Sequence, residues 1–151
     1  MLAKTALLVE DNPDDEELTL RAFRQLGIAD EIVVARDGAE ALDYLFGTGK
    51  YQGRDVSAVP SVVLLDLKLP MLDGFEVLSR IRSHEFTRFL PVVILSSSSE
   101  DQDIGRSYSL GANSYIRKPV NFDKFMQAAE CLGRYWFTLN ERPLLFSKPP
   151  L

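Results

Sequence analysis

The stretch SVVLLDLKLPMLDG, residues 61–74, drives an unbroken apolar run into a carboxylate and then into a turn. Residues 61–65 are short, apolar and rich in β-formers, the pattern of a strand covered on both faces. Asp66 follows at once, with Pro70 and Gly74 marking a tight turn behind it. An acid at the end of a buried strand is costly unless other groups compensate its charge. Those groups have to come from elsewhere in the chain.

The same punctuation recurs along the sequence. KTALLV (4–9), EIVVA (31–35), PVVIL (91–95) and NSYIR (113–117) predict four further strands. Amphipathic stretches lie between them. Asn12 caps a helix that Pro13 opens and that Asp14 and Asp15 favour at its positive end. Leu18, Ala22, Phe23 and Leu26 form its apolar face, and Gly27 stops it. Asp37-Gly-Ala-Glu40 resembles a capping box and starts a helix through about residue 46. Residues 74–83 carry Phe75, Leu78 and Ile81 at helical spacing, and a helix covers roughly 100–110. Asn121 caps a last helix with Phe122, Phe125, Met126, Ala129, Leu132 and Trp136 on one face. Residues 47–60 form a loop long for a compact domain. Five strands alternating with five helices predict an α/β fold, a five-stranded parallel, doubly wound sheet.

The totals set bounds. A length of 151 residues, 46% apolar, suits one domain with a real core. The balance of 17 Lys+Arg against 22 Asp+Glu argues against a general nucleic-acid binder. The single cysteine, Cys131, can form no internal disulfide, which points to a reducing compartment. No apolar run approaches membrane-spanning length, and the N-terminus lacks a signal-peptide pattern. A cytoplasmic protein without membrane association is expected.

In a doubly wound fold, chemistry collects at the carboxyl ends of the strands. The first strand runs into Glu10-Asp11, the third into Asp66, the fourth into Ser96 and the fifth into Lys118-Pro119. Three carboxylates, a hydroxyl and an ammonium are thus expected at one edge. Crowded carboxylates repel, and a hard cation such as Mg²⁺, or Mn²⁺, resolves the repulsion with oxygen ligands. Asp66 is then placed as a nucleophile forming an acyl phosphate. Lys118 pairs with the phosphate, and the Ser96 hydroxyl donates to it.

In this order Glu10-Asp11, Asp66, Pro70, Asp73-Gly74, Ser96 and Lys118-Pro119 resemble the receiver domain of two-component response regulators, over about residues 4–138. The resemblance implies a (βα)5, flavodoxin-like or CheY-like fold with phosphoryl transfer from a sensor histidine kinase to Asp66. It implies that Asp11 ligates the metal directly, Glu10 assists through water and the Lys68 backbone carbonyl completes the set. The family often has two aspartates where this chain has Glu10-Asp11. A cis peptide between Lys118 and Pro119 is also implied. Tyr115 matches the family's aromatic switch position, turning from exposed to buried as phosphate draws Ser96 inward. Lys68 and Ser98 flank the attack path in the family and tune the phosphate's lifetime.

ALDYLFGTGKY, VLLDLKLP, LGANSYIRKPV and LGRYWFTLNERP further resemble the single-domain response regulators paired with phytochromes. That likeness implies a phytochrome-type kinase partner and a homodimer through the C-terminal face. Residues 1–140 are expected to form the receiver domain and 141–151 an extension without an output domain. The chain would act through protein contacts, catalysing only its own phosphorylation and dephosphorylation.

A haloacid-dehalogenase-type phosphatase needs a second Asp two residues after the nucleophile, where this chain has Lys68. A degenerate receiver serving as a docking or dimerisation module is the alternative, against which the intact site set speaks. GTGK (47–50) is not a phosphate loop, since Tyr44 and Tyr51 stand where Gly and Ser/Thr are required. His84 reads as an exposed helix-end residue and Cys131 as a small buried apolar group. The stripe Phe122–Trp136 reads as mainly core; its far end, with Tyr135, Trp136 and Phe137, is unusually aromatic for a surface, and contact with a partner is the second reading there.

Overall fold

The computed structural model describes residues 4–119 and 121–143. Most of the expected C-terminal extension, 144–151, lies outside the described residues. Five parallel strands, β1 (Thr5–Val9), β2 (Glu31–Ala35), β3 (Val62–Leu65), β4 (Val92–Ser96) and β5 (Ser114–Arg117), form one sheet in the order β2-β1-β3-β4-β5. The helices are α1 (Pro13–Leu26), α2 (Gly38–Phe46), α3 (Gly74–Ser83), α4 (Asp101–Ser109) and α5 (Phe122–Arg134). This is the expected doubly wound α/β architecture.

Successive strand residues point to opposite faces, and both faces are covered. Leu7, Val9, Val63, Leu65, Val92 and Ile94 pack with Ala41, Leu45, Val77, Leu78 and Ile81 of α2 and α3. Ala6, Leu8, Val62, Leu64, Val93 and Leu95 pack with Ala22 and Phe23 of α1 and Phe125, Ala129 and Leu132 of α5. That two-sided burial is why the strands read as continuous apolar runs.

The caps follow the sequence. Asn12 Oδ1 accepts from the N–H groups of Asp14 and Asp15, Asp37 from Glu40, Asp73 from Glu76 and Asn121 from Lys124. Gly27 ends α1 at φ 61°, a conformation open to glycine at little cost.

The sheet order reverses at β1, which lies between β2 and β3. The carboxyl ends of β1 and β3 therefore flank a topological switch point, where a crevice opens between connections that leave in opposite directions. The loop 47–60 contains a short 3-10 turn, Gly49–Tyr51. Arg54 organises it, with Nε donating to the Tyr44 carbonyl, Nη1 to the Asp55 and Ala58 carbonyls, and the guanidinium 4.0 Å from the Tyr44 ring centroid.

Two expectations change. The Lys118–Pro119 peptide is trans, since no described peptide bond is cis. A trans X–Pro bond is the intrinsically favoured isomer, and the Lys118 ammonium reaches its partners from it. Cys131 is exposed, because it lies on α5 off the stripe of Phe125, Ala129 and Leu132 that meets the sheet. Trp136 and Phe137 pack on the chain's own α1–α5 core, Phe137 edge-on to Phe23 at 6.5 Å, as the last helix continues through a π turn, Tyr135–Leu139. Tyr135 and Leu139 remain exposed.

Candidate functional site

The strand ends gather the expected carboxylates. Glu10 follows β1 and is 1% exposed; Asp66 follows β3 and is 7% exposed. Asp11 is exposed beside them. Oxygens of Glu10, Asp11 and Asp66 all lie within 4.8 Å of one another. Lys118, just after β5, reaches into this group. Its Nζ stands 2.7 Å from Glu10 Oε1 and 3.2 Å from Asp66 Oδ2. The Lys118 N–H donates to the Ser96 carbonyl at 2.8 Å, extending the β4–β5 pairing and aiming the side chain along the sheet edge.

The turn after Asp66 explains the opening stretch. The Asp66 N–H donates to the Val9 carbonyl, so the acid's backbone is tied to β1. The Lys68 N–H donates to Asp66 Oδ1 at 3.4 Å, and the Gly74 N–H donates to the Leu67 carbonyl at 2.9 Å. A Cβ at Gly74 would collide with the Asp66 carbonyl and come within 2.7 Å of Leu67 Cα. Glycine is required there because α3 starts directly against the acid's backbone.

Ser96 is fully buried, and its Oγ accepts from the Ser98 N–H at 3.2 Å. Ser98 Oγ donates to Asp103 Oδ2 at 2.6 Å. Tyr115 is half-buried against the α2–α3 core, and its hydroxyl donates to the Ser98 carbonyl at 2.9 Å. The β4–α4 loop thus links the hydroxyl at the site to the aromatic on β5.

One site residue was not expected. Asp15, in the first turn of α1, places Oδ2 2.8 Å from Lys118 Nζ. The sequence showed it only as a helix-start acid; no local pattern reveals a partner 103 positions away.

The electrostatics follow from this crowding. Burial pushes the Glu10 carboxyl up to about 7; Lys118 opposes the rise, and the neighbouring Asp66 carboxylate adds to it. For Lys118, burial alone would favour the neutral amine. The hydrogen bonds to Asp15 and Glu10 and the charge on Asp66 outweigh that and hold the ammonium above the ordinary lysine value. A protonated Lys118 therefore stands among carboxylates that outnumber it.

Such a set fits a hard divalent cation. The donors are carboxylate oxygens alone, with neither His nor Cys in the group. The arrangement also sets the buried Asp66 carboxylate beside a fixed positive charge.

A sequence model of the family described as "Response regulator receiver domain" matches residues 6–130. Probable methanogenesis regulatory protein FilR2 of Methanothrix harundinacea is 44% identical over 137 residues, 91% of this chain and 86% of its own length. The phosphorylated cyanobacterial phytochrome response regulator RcpA superposes with a TM-score of 0.86 at 38% identity, covering 93% of this chain and 99% of RcpA. The Mn(2+)-bound form of response regulator Rcp1 gives 0.83 at 32% identity, over 93% and 99% of the two chains. The bacteriophytochrome response regulator AtBRR gives 0.74 at 53% identity, again over 93% and 99%.

Proposed function

Because the chain belongs to the response regulator receiver family, we propose that it is a phosphoacceptor switch in which Asp66 takes a phosphoryl group from a sensor histidine kinase of the phytochrome type. The observation that carries the proposal is the buried Asp66 carboxylate at the end of β3, with Lys118 Nζ 3.2 Å from its Oδ2 and the acids of β1 beside it.

In the transfer, an Asp66 oxygen forms a bond to phosphorus as the bond from phosphorus to the kinase imidazole nitrogen breaks. The electron pair leaves with the imidazole. Asp11 and Asp66 would hold a Mg²⁺ or Mn²⁺ ion, supported by Glu10 and the Lys68 carbonyl, and the ion would supply neutralisation of charge on the phosphoryl oxygens. Lys118 pairs with one phosphoryl oxygen. The Ser96 hydroxyl turns from the Ser98 N–H to donate to another, drawing the β4–α4 loop with it. Tyr115, held on the Ser98 carbonyl, follows that loop, and the face of α4, β5 and α5 is remodelled. The chain catalyses only its own phosphorylation and dephosphorylation.

Its similarity to RcpA and AtBRR supports the phytochrome pairing. A groove of about 610 Å³, lined in part by Phe89, Ile116, Leu132, Tyr135 and Trp136, supports a homodimer through the C-terminal face. The test is phosphotransfer from labelled sensor kinases with Mg²⁺ present. Wild type takes up label and Asp66→Asn does not; equal labelling of the variant overturns the proposal. Size measurement with and without beryllofluoride tests the dimer, and an unchanged monomer contradicts it.

A further inference from the structure

An ammonium has three N–H donors, and those of Lys118 face three carboxylates: Glu10 at 2.7 Å, Asp15 at 2.8 Å and Asp66 at 3.2 Å. Glu10 and Asp66 belong to the group of acids that fits a divalent cation, whereas Asp15 does not. A cation entering that group competes with Lys118 for Glu10 and Asp66. If the ammonium lost both with no other partner, a largely buried charge would be left unpaired, and the exchange would be opposed. Asp15 removes that obstacle. We infer that Asp15 is a positioning residue: it holds the Lys118 ammonium while Glu10 and Asp66 turn to the cation, and so raises the cation affinity of the site. This rests on the metal site proposed above.

The geometry suits the role. The Asp15 N–H donates to Asn12 Oδ1 at 3.1 Å, and its carbonyl accepts from Thr19 Oγ1 at 2.8 Å. The carboxylate is therefore presented from a pinned first turn of α1. Its side chain is 36% exposed, against 1% for Glu10 and 9% for Asp66, so it stands at the rim of the site. Stabilising the helix start does not account for it. Asp14 and Glu16 serve that end equally, yet Asp14 is exposed and Glu16 pairs with Arg36. In this turn the contact across to the β5 end comes from Asp15.

The test is Mn²⁺ titration of the full chain, free Mn²⁺ being read by electron paramagnetic resonance. Wild type, Asp15→Asn, Lys118→Met and the double variant are compared, with circular dichroism and thermal unfolding to establish that each is folded. Asp15→Asn is expected to weaken Mn²⁺ binding about fivefold, the scale of one part-exposed charge pair. With Lys118 already replaced, the same change is expected to leave affinity within about twofold, because the effect runs through the ammonium. Asp15→Glu, which keeps the carboxylate, is expected to recover part of the loss. An equal loss in both backgrounds would show a through-space charge effect and overturn the inference, as would wild-type affinity in Asp15→Asn. Absence of Mn²⁺ binding by the wild type would overturn the metal site itself and this inference with it.

Discussion

Replacing Lys118 with methionine removes one positive charge from among three carboxylates while keeping much of the side chain's volume. The lysine side chain is 12% exposed, and its partners Glu10 and Asp66 are 1% and 9% exposed. Removing one member of a buried pair costs about 3–5 kcal/mol, because the remaining charge stays desolvated. Asp15, at 36% exposure, adds at most about 1 kcal/mol. The cost should depend on pH in a defined sense. Burial already places the Glu10 carboxyl at about 7 against an ordinary 4.5, and loss of the ammonium removes the influence that opposed this rise. The folded chain then holds a proton that the unfolded chain has released, so stability falls as pH rises from 4.5 through the folded value. Metal-free urea denaturation at pH 8 and pH 5 measures this. Lys118→Met should lose about 3–5 kcal/mol at pH 8 and markedly less at pH 5. Equal losses at the two pH values would refute the view that Glu10 carries the cost.

Glu10→Gln removes the buried charge itself. It should flatten the metal-free stability profile between pH 4.5 and about 7, and an unchanged slope in denaturation midpoints would contradict the assignment. Gly74→Ala forces a methyl group against the Asp66 backbone. It should lose about 1–3 kcal/mol by thermal or urea unfolding and slow phosphorylation, whereas wild-type values for both would mean the turn yields freely. Tyr115→Phe deletes the hydroxyl that donates to the Ser98 carbonyl. A loss of about 1 kcal/mol is expected, measured by urea denaturation.

Much of this was legible in the sequence because the signals are local. Asn12, Asp37, Asp73 and Asn121 cap helices through side chains that act within three residues. The apolar run before Asp66 reads as buried because helices cover both sheet faces. The strand-end rule then brings Glu10, Asp11, Asp66 and Lys118 together without any knowledge of packing. What escaped depends on contacts distant in sequence or on small angular differences. Asp15 resembles its neighbours Asp14 and Glu16 until the β5 end is docked against α1. Cys131 falls just off the buried stripe of α5, a difference one residue of helical phase decides. The π turn that brings Phe137 onto the α1–α5 core beside Trp136 has no signal in the local pattern. The trans Lys118–Pro119 bond contradicts what the resemblance implied.

The most direct test of the central claim is to locate the phosphoryl group. The chain is incubated with acetyl phosphate and Mg²⁺, the acyl phosphate is reduced with borohydride, and the tryptic peptides are read by tandem mass spectrometry. The account predicts modification at Asp66, dependent on the divalent cation and absent in Asp66→Asn. Modification at another residue, or at Asp66 to the same extent with the cation chelated, would contradict it.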